Sequence, residues 1–177
     1  MELTRLIVTK PDGSIVGDVD PTRVLDATFV HEVNGEHSLT ITTLDELTKN
    51  DRILWRDGMG VWHENVVDGI EGTHSDGDTL HTYWCPWSLM HDLAATIVTA
   101  MPGTGGTPAS ARTALEAALG GTSRWTVGTV TMTSLGSASM WRVSGWEAMQ
   151  TLVEVWGGEL SASITVGLSG VTARKVS

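Results

Sequence analysis

The stretch Ser144 to Leu160, SGWEAMQTLVEVWGGEL, leaves a chain few ways to fold around it. Ser144 is placed to cap a helix, and Glu147 stands where a capping box needs its reciprocal partner. Trp146, Met149, Val153 and Trp156 recur at helical spacing on one face, while Glu147, Gln150 and Glu154 point elsewhere. Gly157-Gly158 supplies the left-handed residue that stops such a helix, and strand-like residues begin at Leu160. Apolar residues at this spacing mean a helix packed on a core before they mean anything else.

The chain before this helix falls into two styles. Up to Trp84 it reads as short strands separated by Gly/Asp turns. Strands are expected over Leu3–Val8, briefly at Ile15-Val16, and from Leu25, where Leu25, Ala27 and Phe29 share a face. Asn34-Gly35 is a strong hairpin signal and predicts a type I′ turn. The return strand is His37–Thr43, with Leu39 and Ile41 inward and Ser38, Thr40 and Thr42 outward. Leu44–Asn50 is expected as a helical turn or a loop. Arg52–Arg56, with Ile53 and Trp55 on one face, turns at Asp57-Gly58-Met59-Gly60 into a partner strand over Val61–Gly69. After a turn at Ser75–Asp78, Thr79–Trp84 completes a pattern suited to an antiparallel barrel or sandwich.

From Pro86 the periodicity becomes helical. Met90, Leu93, Ala94, Ile97, Val98 and Met101 predict one helix ended by Pro102. Gly103–Thr107 reads as a flexible loop. Thr107 and Pro108 then predict the start of a second helix, with Ala111, Ala114, Leu115, Ala118 and Leu119 as its apolar stripe. Trp125–Val130 is expected as a strand and Thr133–Ser139 as a loop. After the third helix comes a hairpin of Leu160–Val166 and Val171–Val176. The fold class expected is α+β. An antiparallel β barrel or sandwich domain (1–84) precedes a small helix-containing α+β domain (85–160), and the hairpin (161–177) returns toward a truncated β domain.

Bulk properties narrow the function. The 177 residues carry 11 basic and 21 acidic side chains, a net charge of −10. That argues against a nucleic-acid binder, whose affinity rests on Lys and Arg, but suits a wall past which nucleic acid must slide. No apolar run is long enough for a membrane span. Pro11, Asp12 and Gly13 interrupt the start before a signal-peptide core can form. Cys85, the single cysteine, fits folding in a reducing cytoplasm.

The search for chemistry returns no catalytic, cofactor or metal site. His31 and His37 flank the hairpin turn, a placement that allows them to face each other across it, with Glu32 or Glu36 as a conceivable further ligand. Zinc needs three or four ligands in a fixed polyhedron, and nothing in the spacing pins these to one face. His81 and His91 flank Cys85 without a zinc pattern, and Cys85 reads as a small buried residue. No Gly-x-Ser-x-Gly elbow occurs. Ser144, at the centre of Val143-Ser144-Gly145, is already explained as a cap. Asp18 and Asp20 read as solvated acids. Pro102–Gly106 lacks the lysine of a phosphate-binding loop and follows a helix. The 8 Trp against 1 Tyr and 1 Phe read mostly as core. Trp55, Trp62, Trp84 and Trp87, gathered around the β domain, raise an alternative of a cell-wall carbohydrate-binding module.

Phe29–Thr42, FVHEVNGEHSLTIT, resembles the early hairpin of phage tail proteins of the "minor structural protein, amino-terminal region" type, also called tail-associated lysins or prophage tail endopeptidase-like proteins. Asp51–Leu54 resembles that family's strand before a tight turn, and His81–Trp84 its strand entering the first helix. Trp125–Gly128 resembles its tryptophan–any–valine–glycine strand, and Ser144–Leu160 its capped helix ending in Gly-Gly-Glu-Leu. The resemblance implies a baseplate-hub fold, related to the hubs of contractile tails and type VI secretion spikes. It implies a trimer around the distal end of the tail tube, with the distal tail protein and other tail-tip proteins as partners. Lytic or receptor-binding domains follow this region in longer members, whose hub is considerably longer than this chain. No peptidase match lies here, so no lytic activity is carried over, although a fragment of a peptidoglycan hydrolase is a third alternative. The expected localisation is the virion tail tip, after synthesis in the bacterial host cytoplasm.

Overall fold

The computed structural model describes residues 5–75, 78–100, 107–138 and 140–177. It is α+β with mostly antiparallel sheets. The strands and helices, in order, are β1 (Leu6–Thr9), β2 (Ile15–Val19), β3 (Val24–His31), β4 (His37–Thr43), β5 (Arg52–Arg56), β6 (Trp62–Val66), β7 (Gly69–Ser75), β8 (Asp78–Pro86), α1 (Ser88–Ala94), β9 (Ile97–Ala100), β10 (Ala109–Ser110), α2 (Ala111–Leu119), β11 (Thr126–Val127), β12 (Leu135–Gly136), β13 (Trp141–Ser144), α3 (Gly145–Trp156), β14 (Ala162–Gly167) and β15 (Gly170–Val176). Two compact units divide the chain: Met1–Ser88 with Ser163–Ala173, and Leu89–Ala162 with Arg174–Ser177.

In the first unit, one sheet has the order β2-β1-β5-β6 and the other β3-β4-β8-β7. Leu6, Val8, Val19, Ile53 and Trp55 from the first sheet meet Leu39, Ile41, Tyr83 and Cys85 from the second in one buried cluster. Alternation puts every second side chain on that inner face. Truncating a residue such as Ile41, fully buried there, would cost about 2–5 kcal/mol through lost transfer energy and the cavity left. Polar groups tie the two sheets together. Asn65 on β6 accepts from Trp55 Nε1 at 2.9 Å and donates to the Cys85 carbonyl on β8 at 3.0 Å. Tyr83 Oη accepts from Leu47 N at 2.7 Å, which fixes the irregular segment 44–50.

Several expectations change here. The register irregularity between Val24 and Asp26 turns Leu25 outward, so Val24, Ala27 and Phe29 face the core. The hairpin turn is not type I′. Glu32 N donates to Glu36 O at 2.8 Å, enclosing a longer loop, and only Asn34, not Gly35, has positive φ. The strand expected over Val61–Gly69 is two strands in different sheets. At Val67-Asp68 the chain leaves β5 as a partner: Val67 N donates to Asp51 O, and Asp68 N donates to Trp84 O on β8. Ile15–Val19 is a full strand, and Leu44–Asn50 is a loop. The apex of the Ser75–Asp78 turn lies outside the described residues.

The second unit departs more. Helix α1 ends at Ala94, and Thr96 donates to the Leu93 carbonyl through both its amide and its hydroxyl. The β-branched run Thr96-Ile97-Val98-Thr99 then extends and pairs with β13. β-Branched side chains favour a pleated surface over a helix, and an available partner strand decides the matter. Met101–Gly106, including most of the expected loop, lie outside the described residues. Helix α2 is capped by Ser110, not Thr107, because β10 holds Ala109-Ser110 extended against β12. The stripe of α2 is buried as expected: Ala111, Ala114, Leu115, Ala118 and Leu119. The strand expected over Trp125–Val130 shrinks to β11, which runs parallel to β15. The expected loop Thr133–Ser139 contains β12.

Helix α3 forms with the full capping box. Ser144 Oγ accepts from Glu147 N at 3.1 Å, and the Glu147 carboxylate accepts from Ser144 N at 2.8 Å. Its buried face is Gly145, Ala148, Met149, Leu152 and Trp156. Trp146 and Val153 therefore flank the core instead of facing it. Gly145 is tightly placed: a Cβ there would meet Thr96 Oγ1 and the backbone of Leu93, so α3 approaches the end of α1 closely at a residue with no side chain.

Candidate interaction surfaces

Of the histidines singled out in the sequence, His31 and His37 sit in an aromatic ladder of the first unit. β3 and β4 pair His31 with His37 directly, and their rings lie 4.0 Å apart. His37 stacks on Trp87 at 4.3 Å. Phe29 meets Trp55 edge-on at 4.6 Å, and Trp55 stacks on His63 at 4.3 Å. His63 Nε2 is 3.0 Å from Asp57 Oδ2. Burial, followed by the neighbouring His31 imidazole, pushes His37 down to about 4, so it is neutral near pH 7.

This arrangement does not bring the suggested ligands together. Glu36 accepts from Ser38 Oγ at 2.7 Å, and Glu32 folds back over its own turn toward Gly35. Among the described residues no group of three or more His, Cys, Asp or Glu is placed to hold a metal ion. His81 lies beside Tyr83 and His91 near Asp92. Cys85 is buried, and burial followed by the Asp68 carboxylate pushes its thiol up to about 12. A thiol so held is not a nucleophile at neutral pH. Ser144 is engaged as a cap. Asp18 pairs with Arg5 at 2.9 Å, while Asp20 accepts from the amide and hydroxyl of Thr22, so the two acids do separate structural work.

Two polar arrangements were not readable from spacing. Arg52 and Glu64 form a buried ion pair across β5 and β6. Asp92 holds both Arg124, at 3.2 Å, and Trp125 Nε1, at 2.9 Å. Partners far apart in sequence on strands and loops leave no periodic signal; only an unmatched charge in an apolar run, as in RILWR, hints at them.

The tryptophans fall into three groups, with Trp62 and Trp146 half-buried. Trp55, Trp87, Trp125 and Trp156 are buried, and Trp156 Nε1 donates to Ala109 O at 2.8 Å. Trp84 and Trp141 are 44% and 73% exposed. A groove of about 480 Å³ in the first unit is lined by Lys10, Asp18, Asp20, Asp45, Glu46 and Asp51. A cleft of about 410 Å³ in the second is lined by Leu115, Met132, Leu152, Val153 and Leu160 among others. Neither gathers a catalytic set. What the first unit offers outward is sheet: β2, β6, β3 and β7 stand at the edges of its two four-stranded sheets, and open edges are natural places for chains to pair.

Comparison with solved structures finds this architecture elsewhere. A prophage tail protein, gp18 from Listeria monocytogenes EGD-e, superposes with a TM-score of 0.57 over 97% of this chain, at 11% identity. The chain shares the fold of this tail protein. A tail protein from Neisseria meningitidis MC58 gives a TM-score of 0.54, again over 97% of the chain, at 10% identity. This chain spans about half the length of these tail proteins, covering 50% and 49% of them. No protein-family model matches the sequence, and no curated protein does. The shared tail-protein fold runs through both units of the chain.

Proposed function

We propose that the protein is a structural component of a phage or prophage tail, working at the tail tip as part of the baseplate hub. The observation that carries this reading is the likeness to two phage tail proteins over 97% of the chain. It agrees with the order of motifs in the sequence. The role is mechanical: the sandwich and the helical unit form part of the wall at the distal end of the tail tube. The assembled form is a homotrimer resting on the distal tail ring and carrying other tip proteins. Its net charge of −10 keeps passing DNA from adhering, because a negative surface repels phosphate.

The test is the protein content of particles. Tail-bearing particles purified by density gradient are digested and analysed by mass spectrometry. Peptides of this chain in fixed ratio to tail-tube protein support the reading. Particles free of the chain, with the protein abundant in the same lysate, remove it.

A further inference from the structure

We propose that the outer face of the β3-β4-β8-β7 sheet binds a neutral saccharide, with Trp84 as the stacking platform. The proposal is independent of where in a virion the chain sits. It starts from the register. Strand pairing sets Thr28, Thr40, Trp84 and Gly69 in one row across all four strands. Asp26, Thr42, Thr82 and Glu71 make the next row, and Val30, the buried Ser38 and Pro86 lie in the row on the other side. These are the side chains opposite the core-facing Phe29, Leu39, Ile41, Tyr83 and Cys85, since faces alternate along a strand.

Three features of this face point to a sugar. First, Trp84 is 44% exposed, and its neighbour in the row is a glycine. A Cβ on Gly69 would touch Trp84 Cβ at 3.5 Å and Cε3 at 4.0 Å. Gly69 thus leaves open space beside one edge of the indole, and nearly half of Trp84 is reached by solvent. An aromatic face of this kind stacks on the C–H face of a pyranose, and its N–H is a donor at the rim.

Second, the residues around the indole carry hydroxyls. Thr42 and Thr82 lie 3.1 Å apart, oxygen to oxygen, and Thr28 is exposed. A hydroxyl both donates and accepts, which matches the hydroxyls of a sugar. Asp26, exposed at the edge of the patch, adds an acceptor.

Third, β3, β4, β7 and β8 contain neither Lys nor Arg. A face without cations is a poor seat for phosphate, nucleic acid or another polyanion. A protein partner fits less well, because the centres of protein interfaces are mostly apolar and rich in Arg as well as aromatics. Of the tryptophans gathered around the β domain, Trp55 and Trp87 are buried and Trp62, half-buried under Arg56, lies on β6 of the other sheet, so Trp84 is the tryptophan of this face.

The test is a titration of the full chain with neutral tetrasaccharides of glucose, mannose, galactose and N-acetylglucosamine, followed in ¹H–¹⁵N spectra. The indole signal of Trp84 is assigned by its loss in Trp84→Phe. We expect one of these sugars to shift that signal and the amides of Thr28, Thr40 and Thr82. We expect Trp84→Ala to weaken binding roughly tenfold or more, a loss of about 1.4 kcal/mol. Thr40→Val, which keeps the shape of the side chain, should weaken it less. The fold of each variant is checked in the same spectra by the unshifted core signals. No shift with any sugar at about 10 mM, tenfold above a Kd of ~1 mM, overturns the proposal. So does binding that survives Trp84→Ala. A Trp84→Ala chain that binds no sugar differently but changes its oligomeric state reassigns the face to protein contact.

Discussion

Arg52 Nη1 stands 3.4 Å from Glu64 Oε2, on adjacent strands, with side chains 2% and 0% exposed. Two charges withdrawn from water repay their desolvation only through each other and the hydrogen bonds around them. Removing one partner leaves the other charge buried without its counter-ion. We predict that Arg52→Met or Glu64→Leu alone lowers stability by about 3–5 kcal/mol, whereas the double variant recovers most of the loss. Urea unfolding of the four proteins, read as a double-mutant cycle, checks this. Additive losses would show that the pair is not coupled.

His37 predicts how stability changes with acid. The folded chain holds its imidazole at about 4, against 6.5 for an unperturbed histidine. Its folded value is depressed, so protons bind the unfolded state first. The contribution is complete above about pH 6.5 and is lost as the pH falls toward 4, amounting to about 1–3 kcal/mol. His37→Phe keeps a ring against Trp87 without titrating. Thermal midpoints measured across that window should fall more steeply for the natural chain than for the variant. Parallel curves would contradict the burial of a neutral His37.

Cys85 is predicted to be inert until the first unit opens. Its thiol, pushed up to about 12, has almost no thiolate at pH 8. Ellman's reagent should leave the folded protein unlabelled and react fully in denaturant, so labelling rate reports opening of the sandwich. Rapid labelling without denaturant would mean that β8 is not packed as described.

The cap of α3 makes a fourth prediction. Ser144→Ala removes the acceptor for the Glu147 amide and should destabilise the second unit by about 0.5–2 kcal/mol. Hydrogen bonds from the Ser144 amide and hydroxyl lower the Glu147 carboxyl. Its contribution is therefore present above the ordinary Glu range and is lost as the pH falls through the lowered value. Hydrogen exchange of the first turn of α3 checks both effects. Unchanged protection in Ser144→Ala would show that packing alone holds the helix.

What could be read from the sequence was local. The β3–β4 hairpin follows from alternation in HSLTITT, and the α3 cap from Ser144 and Glu147. What could not be read was set by pairing between distant segments. Ile97 and Val98 fit a helix by spacing, yet Trp141–Ser144 offered them a sheet. Nothing local marks Val67-Asp68 as the point where the chain changes sheets. The same limit applies to the tryptophans: composition showed that they were many, and only strand register showed that Trp84 faces outward while Trp55 does not.

The measurement that bears most directly on the account is electron microscopy of intact particles with gold-labelled antibody against this chain. The account predicts label at the tail tip. Antibody that binds the protein in lysate but decorates no assembled particle would contradict it.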